Sequence, residues 1–191
     1  MNPDLFLTSA LLILIIFYSI YFIKLLSQKR QGIQTNQLGK KQEPSVRMIE
    51  KILQFSTICI VPVQICSIFF AWSLLPDTVR VTGILIGTTG DLLFLISVLT
   101  MKNSWRAGIP EKDKTEFISH GIYHCSRNPA FLGFDLMYIG ILVMYFNFLL
   151  LVITVFTIVM LHLQILQEEK YLETTFGEVY FTYKKNTRRY L

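Results

Sequence analysis

From Leu5 to Leu26 the chain is almost wholly apolar, interrupted by a single charge, Lys24. About 18 or more apolar residues in a row are enough to cross the hydrocarbon core of a bilayer as a helix. The run is bounded by Asp4 on one side and Gln28-Lys29-Arg30 on the other. It lacks the basic n-region and small-residue cleavage site of a signal peptide and is too long for an h-region, so it reads as a retained helix.

Four more apolar segments follow, at roughly 49–75, 81–101, 130–146 and 148–166. Across the 191 residues, 52% are hydrophobic and only 16% charged, and mean hydropathy is +0.48. An ordinary soluble domain is excluded. The pattern predicts an all-α integral membrane bundle of about five transmembrane helices, one domain over 1–191. Helices 1–3 occupy 1–100, and 101–191 carries the unusual polar chemistry. Pro62 lies inside the second segment and could kink it, and Pro76–Val79 reads as a tight turn. Only Asn147 separates the last two segments, so they should form a close hairpin, each slightly short for a span of about 30 Å.

Charge distribution predicts the topology. Of the 18 Lys and Arg residues, all but Arg80 fall in the first loop, the third connection or the C-terminal tail. Five spans with the N-terminus outside and the C-terminus cytoplasmic fit that asymmetry. The net charge of +5 therefore marks a membrane face, and no nucleic-acid partner is expected. The Gln-, Lys- and Gly-rich stretch Ser27–Val46 reads as a solvated linker near lipid headgroups. Cys59, Cys66 and Cys125 form no CxxC pair and read as inert buried thiols.

Ser104 to Gly133 departs from lipid-facing composition. Gly121 after His120 suggests a turn, Pro129 suits the first position of a helix, and Asn128 before it suits the N-cap. Such a helix start, rimmed by Arg127 and free N–H groups, could receive an anionic or carboxylate-bearing ligand; equally it could be only a helix start with a snorkelling arginine. Farther on, Gln164, Glu168 and Tyr171 share a helix face by i+4 and i+3 spacing, a face able to receive an ammonium or sulfonium. Glu168 and Glu169 point about 100° apart and cannot address one ligand atom together. Acids at a helix C-terminus oppose the dipole, so either they serve a ligand or the helix continues. Tyr171–Tyr183 alternates aromatic and charged residues, as an interfacial cytoplasmic helical segment does. Asp91 and Asp135 lie inside apolar segments, where carboxylates are costly and face a bundle interior or wet cavity. His162 reads as a packed neutral histidine. No metal-spaced cluster, Walker loop, Rossmann glycine pattern or Gly-x-Ser-x-Gly elbow occurs.

The series His120-Gly121-x-Tyr123-x3-Arg127-Asn128-Pro129-x-Phe131-Leu132-Gly133, then Glu168-Glu169-x2-Leu172-x3-Phe176-Gly177-x2-Tyr180-x2-Tyr183, resembles the isoprenylcysteine carboxyl methyltransferase and phospholipid methyltransferase superfamily. The lead-in Asn103-Ser104-Trp105-Arg106-x-Gly108 is similar to its prokaryotic members, and the resemblance covers about 100–190. It implies S-adenosyl-L-methionine bound between the last membrane helices and the tail. His120, Gly121 and Tyr123 would line that pocket, and Arg127, Asn128, Pro129, Leu132 and Gly133 would form its helix-start wall. Glu168 or Glu169 would hold the cofactor's amino group or ribose. Arg188 or Arg189 would orient the acceptor, and Asp135 and Glu169 join Arg188 as candidate catalytic residues. Many relatives carry His where this chain has Asn128, which hydrogen-bonds but does not exchange protons.

The expected activity is thus methyl transfer to a lipid-like or lipidated acceptor within the bilayer, either a carboxylate or an amine. Two rival readings are an NADPH-dependent membrane reductase and a non-enzymatic transport or scaffold subunit.

Overall fold

The computed structural model describes residues 3–40, 43–109 and 115–191. Seven helices account for its regular structure: α1 (Pro3–Arg30), α2 (Pro44–Phe69), α3 (Asp77–Met101), α4 (Ile122–Cys125), α5 (Pro129–Met144), α6 (Phe148–Phe176) and α7 (Glu178–Asn186). A single 3-10 turn, Lys102–Ser104, follows α3. No strand occurs among the described residues beyond one isolated bridge, Asn36 to Ala107. The fold is all-α, as the apolar runs require.

Four helices, α1, α2, α3 and α6, are long and apolar enough to cross a membrane. The fifth, α5, has 16 residues and spans about 24 Å. The last two apolar segments differ from a close hairpin of two short helices in two ways. Only α5 is short: α6 runs 29 residues, to Phe176, because no Gly or Pro interrupts 148–176. It stops at Gly177, whose φ of 52° suits glycine and reverses the chain into α7. Nor do α5 and α6 mainly pack on each other. The principal partner of α5 is α3, and that of α6 is α2.

The α3–α5 contact is a backbone contact. A Cβ added at Gly140 would lie 2.5 Å from the Gly87 Cα, and one at Gly90 would lie 2.6 Å from the Met137 nitrogen. Small residues let membrane helices meet this closely, where dispersion rather than the hydrophobic effect holds them together. Aromatic packing then joins α1 to the pair: the Phe17 ring stacks on Phe94 at 4.6 Å and meets Phe134 edge-on at 4.7 Å. Large apolar side chains such as Ile23, Phe55, Leu85, Leu99 and Val152 face outward as a lipid belt.

The connections alternate between two ends. At one end Arg80 donates from Nε to the Met144 carbonyl at 2.7 Å, with its guanidinium over the Phe6 ring at 3.9 Å. This cation meets the negative end of the α5 dipole. At the same end Asn147 caps α6 through the Leu150 N–H and donates to Ser67 of α2. The other end holds the polar stretches.

At that polar end the stretch Ser27–Val46, apart from Lys41 and Gln42 outside the described residues, is only partly solvated. Helix α1 continues through it to Arg30, and Gln28, Thr35 and Gln37 are buried. Gln28 donates to the Trp105 carbonyl at 3.2 Å and accepts from the Thr35 hydroxyl at 2.6 Å. Backbone bonds Gln37 N–H to Ala107 C=O and Ala107 N–H to Thr35 C=O complete a roof. Its polar groups find partners in the protein rather than in water. The thiols also differ from expectation, since Cys66 and Cys125 are exposed and Cys59 is half-buried. Pro62 sits within α2 without ending it.

Gly140→Ala should destabilise the fold by about 1–3 kcal/mol, because neither backbone at the contact can yield to a methyl group. A thermal melt in detergent unchanged from wild type would sink this account of the α3–α5 seam.

Candidate functional site

The site begins at the start of α5 and is organised by Glu169. Its carboxylate is buried and accepts from Arg127 Nε and Nη2 at 3.1 and 3.0 Å, and from Asn128 Nδ2 at 3.3 Å. Arg189 adds bonds of 3.1 and 2.8 Å. Arg127 also donates through Nη1 to the carbonyls of Lys184 and Thr187, and through its backbone N–H to that of Arg188. Asn128 Nδ2 and Ser126 Oγ reach the Arg189 carbonyl. The C-terminal segment is therefore strapped across the entry of α5. Arg127 is committed to Glu169 and the strap. Asn128 occupies the N-cap position, yet its side chain makes no capping bond because Glu169 and Arg189 claim it.

The strap closes over an aromatic group. Phe117 lies 5.3 Å from both Phe176 and Tyr183 and 6.0 Å from Tyr180. The Tyr183 hydroxyl donates to the Tyr123 carbonyl. Burial pushes the Tyr183 phenol up to about 12, so it stays a neutral donor. Tyr180 is 1% exposed, and its hydroxyl has no partner among the described residues. Tyr123 is buried and hydrogen-bonds with Ser97 of α3; burial first, then the Glu168 charge, push its phenol up.

Glu168 points elsewhere. It accepts from Gln164 Nε2 at 3.1 Å, and the same amide nitrogen donates to Glu50 at 3.3 Å. Glu50 is fully buried and also accepts from the Gly39 N–H at 2.8 Å and the Ile109 N–H at 3.0 Å. Glu50 is signalled in the sequence only as an acid just inside the apolar segment 49–75, and its partners are all distant in the chain. The i+4 pairing of Gln164 with Glu168 is present as the spacing predicts. The Gln164 Oε1 atom is buried and has no partner among the described residues.

Beside Gln164 lies a cavity of about 550 Å³. Its roof is Asn36, Leu38 and Trp105–Gly108; its wall includes Phe131, Phe134 and Tyr138 of α5. Phe22 and Leu25 of α1 and Thr57, Ile58 and Val61 of α2 flank its side, where those two helices touch little. Phe22 and Ile58 are among the exposed apolar residues, so the opening faces the lipid belt.

The remaining expected residues scatter. His120 and Gly121 are exposed at the turn entering α4, and Pro129 takes the first turn of α5. Leu132 is half-buried, while Gly133 packs against Phe94 and Gly90 in the α3–α5 seam. Arg188 is exposed and offers its carbonyl to Arg127. Asp135 is half-buried, its Oδ1 without a partner among the described residues. Burial first, then the Asp135 charge, push the Tyr190 phenol up. His162 Nδ1 is 2.6 Å from the Tyr190 hydroxyl, a packed role consistent with its reading. No group of three or more His, Cys, Asp or Glu side chains able to hold a metal occurs among the described residues.

The family profile of phospholipid methyltransferase matches residues 78–179, which run from the first turn of α3 into α7. The chain belongs to this family. No curated protein gives a match. The match takes in the glycine seam, Tyr123, Arg127, Gln164 and Glu168, and begins a whole helix earlier than the resemblance read from the motifs. It assigns the protein to a family of membrane methyltransferases.

Glu169→Ala leaves the nearly buried Arg127 without its counter-charge and should cost about 3–5 kcal/mol. Amide exchange would then quicken in 184–191 well before α1–α3. Lys184→Ala breaks only the half-exposed ion pair to Glu173 and should cost about 1 kcal/mol. Equal tail protection in wild type and Glu169→Ala would refute the strap.

Proposed function

We propose that the protein is an S-adenosyl-L-methionine-dependent methyltransferase acting on a lipidic or amphiphilic acceptor at the cytoplasmic membrane face. The observation that carries this reading is that Tyr123, Gln164 and Glu168 converge within the stretch matched by the methyltransferase family.

The donor set suits the cofactor. Glu168 offers a carboxylate to an ammonium or ribose hydroxyls, whereas Glu169 already accepts from Arg127, Asn128 and Arg189. We therefore assign the cofactor-facing role to Glu168. The unpartnered Tyr180 hydroxyl, among Phe117, Phe176 and Tyr183, suits a purine edge and face. When bound, S-adenosyl-L-methionine supplies a methyl group on a sulfonium sulfur, whose loss to an acceptor leaves a neutral thioether. The chain's own contribution is alignment and the exclusion of water rather than covalent chemistry. The strap held by Arg127 and Glu169 closes the aqueous side. The cavity between α1 and α2 admits the acceptor from lipid, with Asp135 on the α5 turn that carries Phe131, Phe134 and Tyr138. His120 and Gly121, exposed at the turn entering α4, form the rim through which the cofactor enters. Leu132 and Gly133 hold α5 behind it, and the exposed Arg188 side chain on the strap is a surface contact for the acceptor headgroup. Carboxyl and amine acceptors both fit methyl transfer of this kind.

Titration calorimetry with S-adenosylhomocysteine should give saturable binding to the detergent-purified protein. Glu168→Gln should weaken it by about tenfold or more, the loss of one charge-assisted hydrogen bond. Absence of binding to folded wild type would remove the cofactor from this reading. A second measurement tests orientation. In a Cys59→Ser, Cys66→Ser background, the exposed Cys125 should react with a membrane-impermeant maleimide in inside-out vesicles and not in right-side-out ones. The opposite labelling would invert the topology.

A further inference from the structure

A second hollow, of about 570 Å³, opens at the polar end of the bundle. Of the described lining residues it shares only Arg106 with the cavity beside α6. It lies between Gly32 and Ile33 after α1, the end of α3 with its 3-10 turn, and Glu116, Ile118 and His120. Lys102, on its wall, ends α3 with φ 46° and ψ −125°. Glycine adopts that backbone freely, and a residue with a side chain rarely does. Glycine is also the usual residue where a helix ends in this way. A lysine that holds so strained a position is kept for its side chain. Lys102 is exposed, and its ammonium has no ion-pair partner among the described residues.

Other donors border the same hollow. Ser104 Oγ accepts the Glu116 N–H at 3.1 Å, which leaves its own hydrogen to donate. His120 is exposed and carries a ring N–H. Arg106 adds fixed positive charge, its Nη1 held by the carbonyls of Asn103 and Trp105 at 2.6 and 2.9 Å. Glu116, which is exposed, is the one acid among the described lining residues. Donors of three kinds around an excess of positive charge suit a group with several acceptor oxygens, as phosphate has. The same charge has the wrong sign for a sulfonium. Leu99, about one turn before Lys102, is 64% exposed on the lipid belt, so the hollow sits where α3 leaves the hydrocarbon.

We propose that this hollow is a binding site for an organic phosphate of net negative charge. The Lys102 ammonium is its anchor, and Ser104 and His120 are further donors. The phosphate is either the headgroup of an acidic lipid, reached where α3 leaves the bilayer, or a soluble phosphate ester. The site is separate from methyl transfer and does not rest on that reading.

The test is calorimetric titration of the detergent-purified full chain, against protein-free detergent blanks. Dihexanoyl phosphatidylglycerol should bind about tenfold tighter than the zwitterionic dihexanoyl phosphatidylcholine, the effect of one charge-assisted hydrogen bond. Lys102→Gly should erase that preference while holding or raising the melting temperature, because glycine relieves the strained backbone. Lys102→Gln, which keeps the side-chain length without the charge, should erase it as well. Lys185→Ala removes an exposed cation from α7 at the same end of the bundle and should leave the preference intact. Equal affinities in wild type, or a preference that survives in folded Lys102→Gly or Lys102→Gln, overturns the proposal. So does an equal loss in Lys185→Ala, which is the signature of diffuse surface charge.

Glycerol 3-phosphate separates the two sources. Binding as tight as that of dihexanoyl phosphatidylglycerol assigns a soluble ester, and binding at least tenfold weaker assigns the lipid. Displacement of the bound phosphate by S-adenosylhomocysteine places both in one site and overturns the proposal. Simultaneous binding of the two supports it.

Discussion

The backbones of α3 and α5 touch, and the rest of the polar end is built on that contact. Glycines at 87, 90, 133 and 140 remove the side chains that would hold the helices apart. In lipid the gain is dispersion over a close seam, without a solvent-exclusion term between helices. With α5 fixed against α3, Asn128 and Arg127 stand beside the end of α3, where Tyr123 reaches Ser97. The short α5 then ends its entry well below the tip of α6. The extra length of α6, 29 residues against 16, carries Gln164, Glu168 and Glu169 past the start of α5. A pair of equal helices would leave no step for the strap to cross.

Two neighbouring glutamates take different parts because a helix turns about 100° per residue. Glu169 faces the α5 entry and meets two guanidinium groups and an amide, so its charge is compensated within the protein. Glu168 faces inward and meets one amide nitrogen that it shares with a second carboxylate. A carboxyl group with so few donors has lone pairs left for a further donor. The compensated carboxylate ties the C-terminal segment to the start of α5, and the other keeps acceptor capacity beyond Gln164.

The helices form an incomplete ring in which α1 meets α3, α3 meets α5, α5 meets α6 and α6 meets α2, while α1 and α2 barely touch. The gap lies beneath the roof made by 34–38 and 105–109, which seals the cavity on the aqueous side. The cavity is thus roofed by polar loops at one end and bordered by lipid-belt residues at its side.

Much of this was legible in the residues. Long apolar runs dictate spanning helices, because in hydrocarbon each backbone polar group must be satisfied within its own helix. The i+4 spacing of Gln164 and Glu168, and the impossibility of Glu168 and Glu169 sharing a target, follow from helical geometry alone. The order of the motifs from His120 to Tyr183 was enough to point to the family. Other features depend on partners far away in the chain. The pairing of α5 with α3 rather than with its hairpin neighbour rests on glycines 43 to 57 residues apart meeting at the right height. The burial of Gln28, Thr35 and Gln37 depends on carbonyls near Trp105, so their polar composition mimics a solvated loop. Glu50 and the commitment of Arg127 and Asn128 to Glu169 arise in the same way. Local periodicity and composition determine which segments are helices, because those preferences act within one turn. Which helices touch, and which of two neighbouring glutamates is met by guanidinium groups, is decided only when residues distant in sequence supply or withhold hydrogen-bond donors.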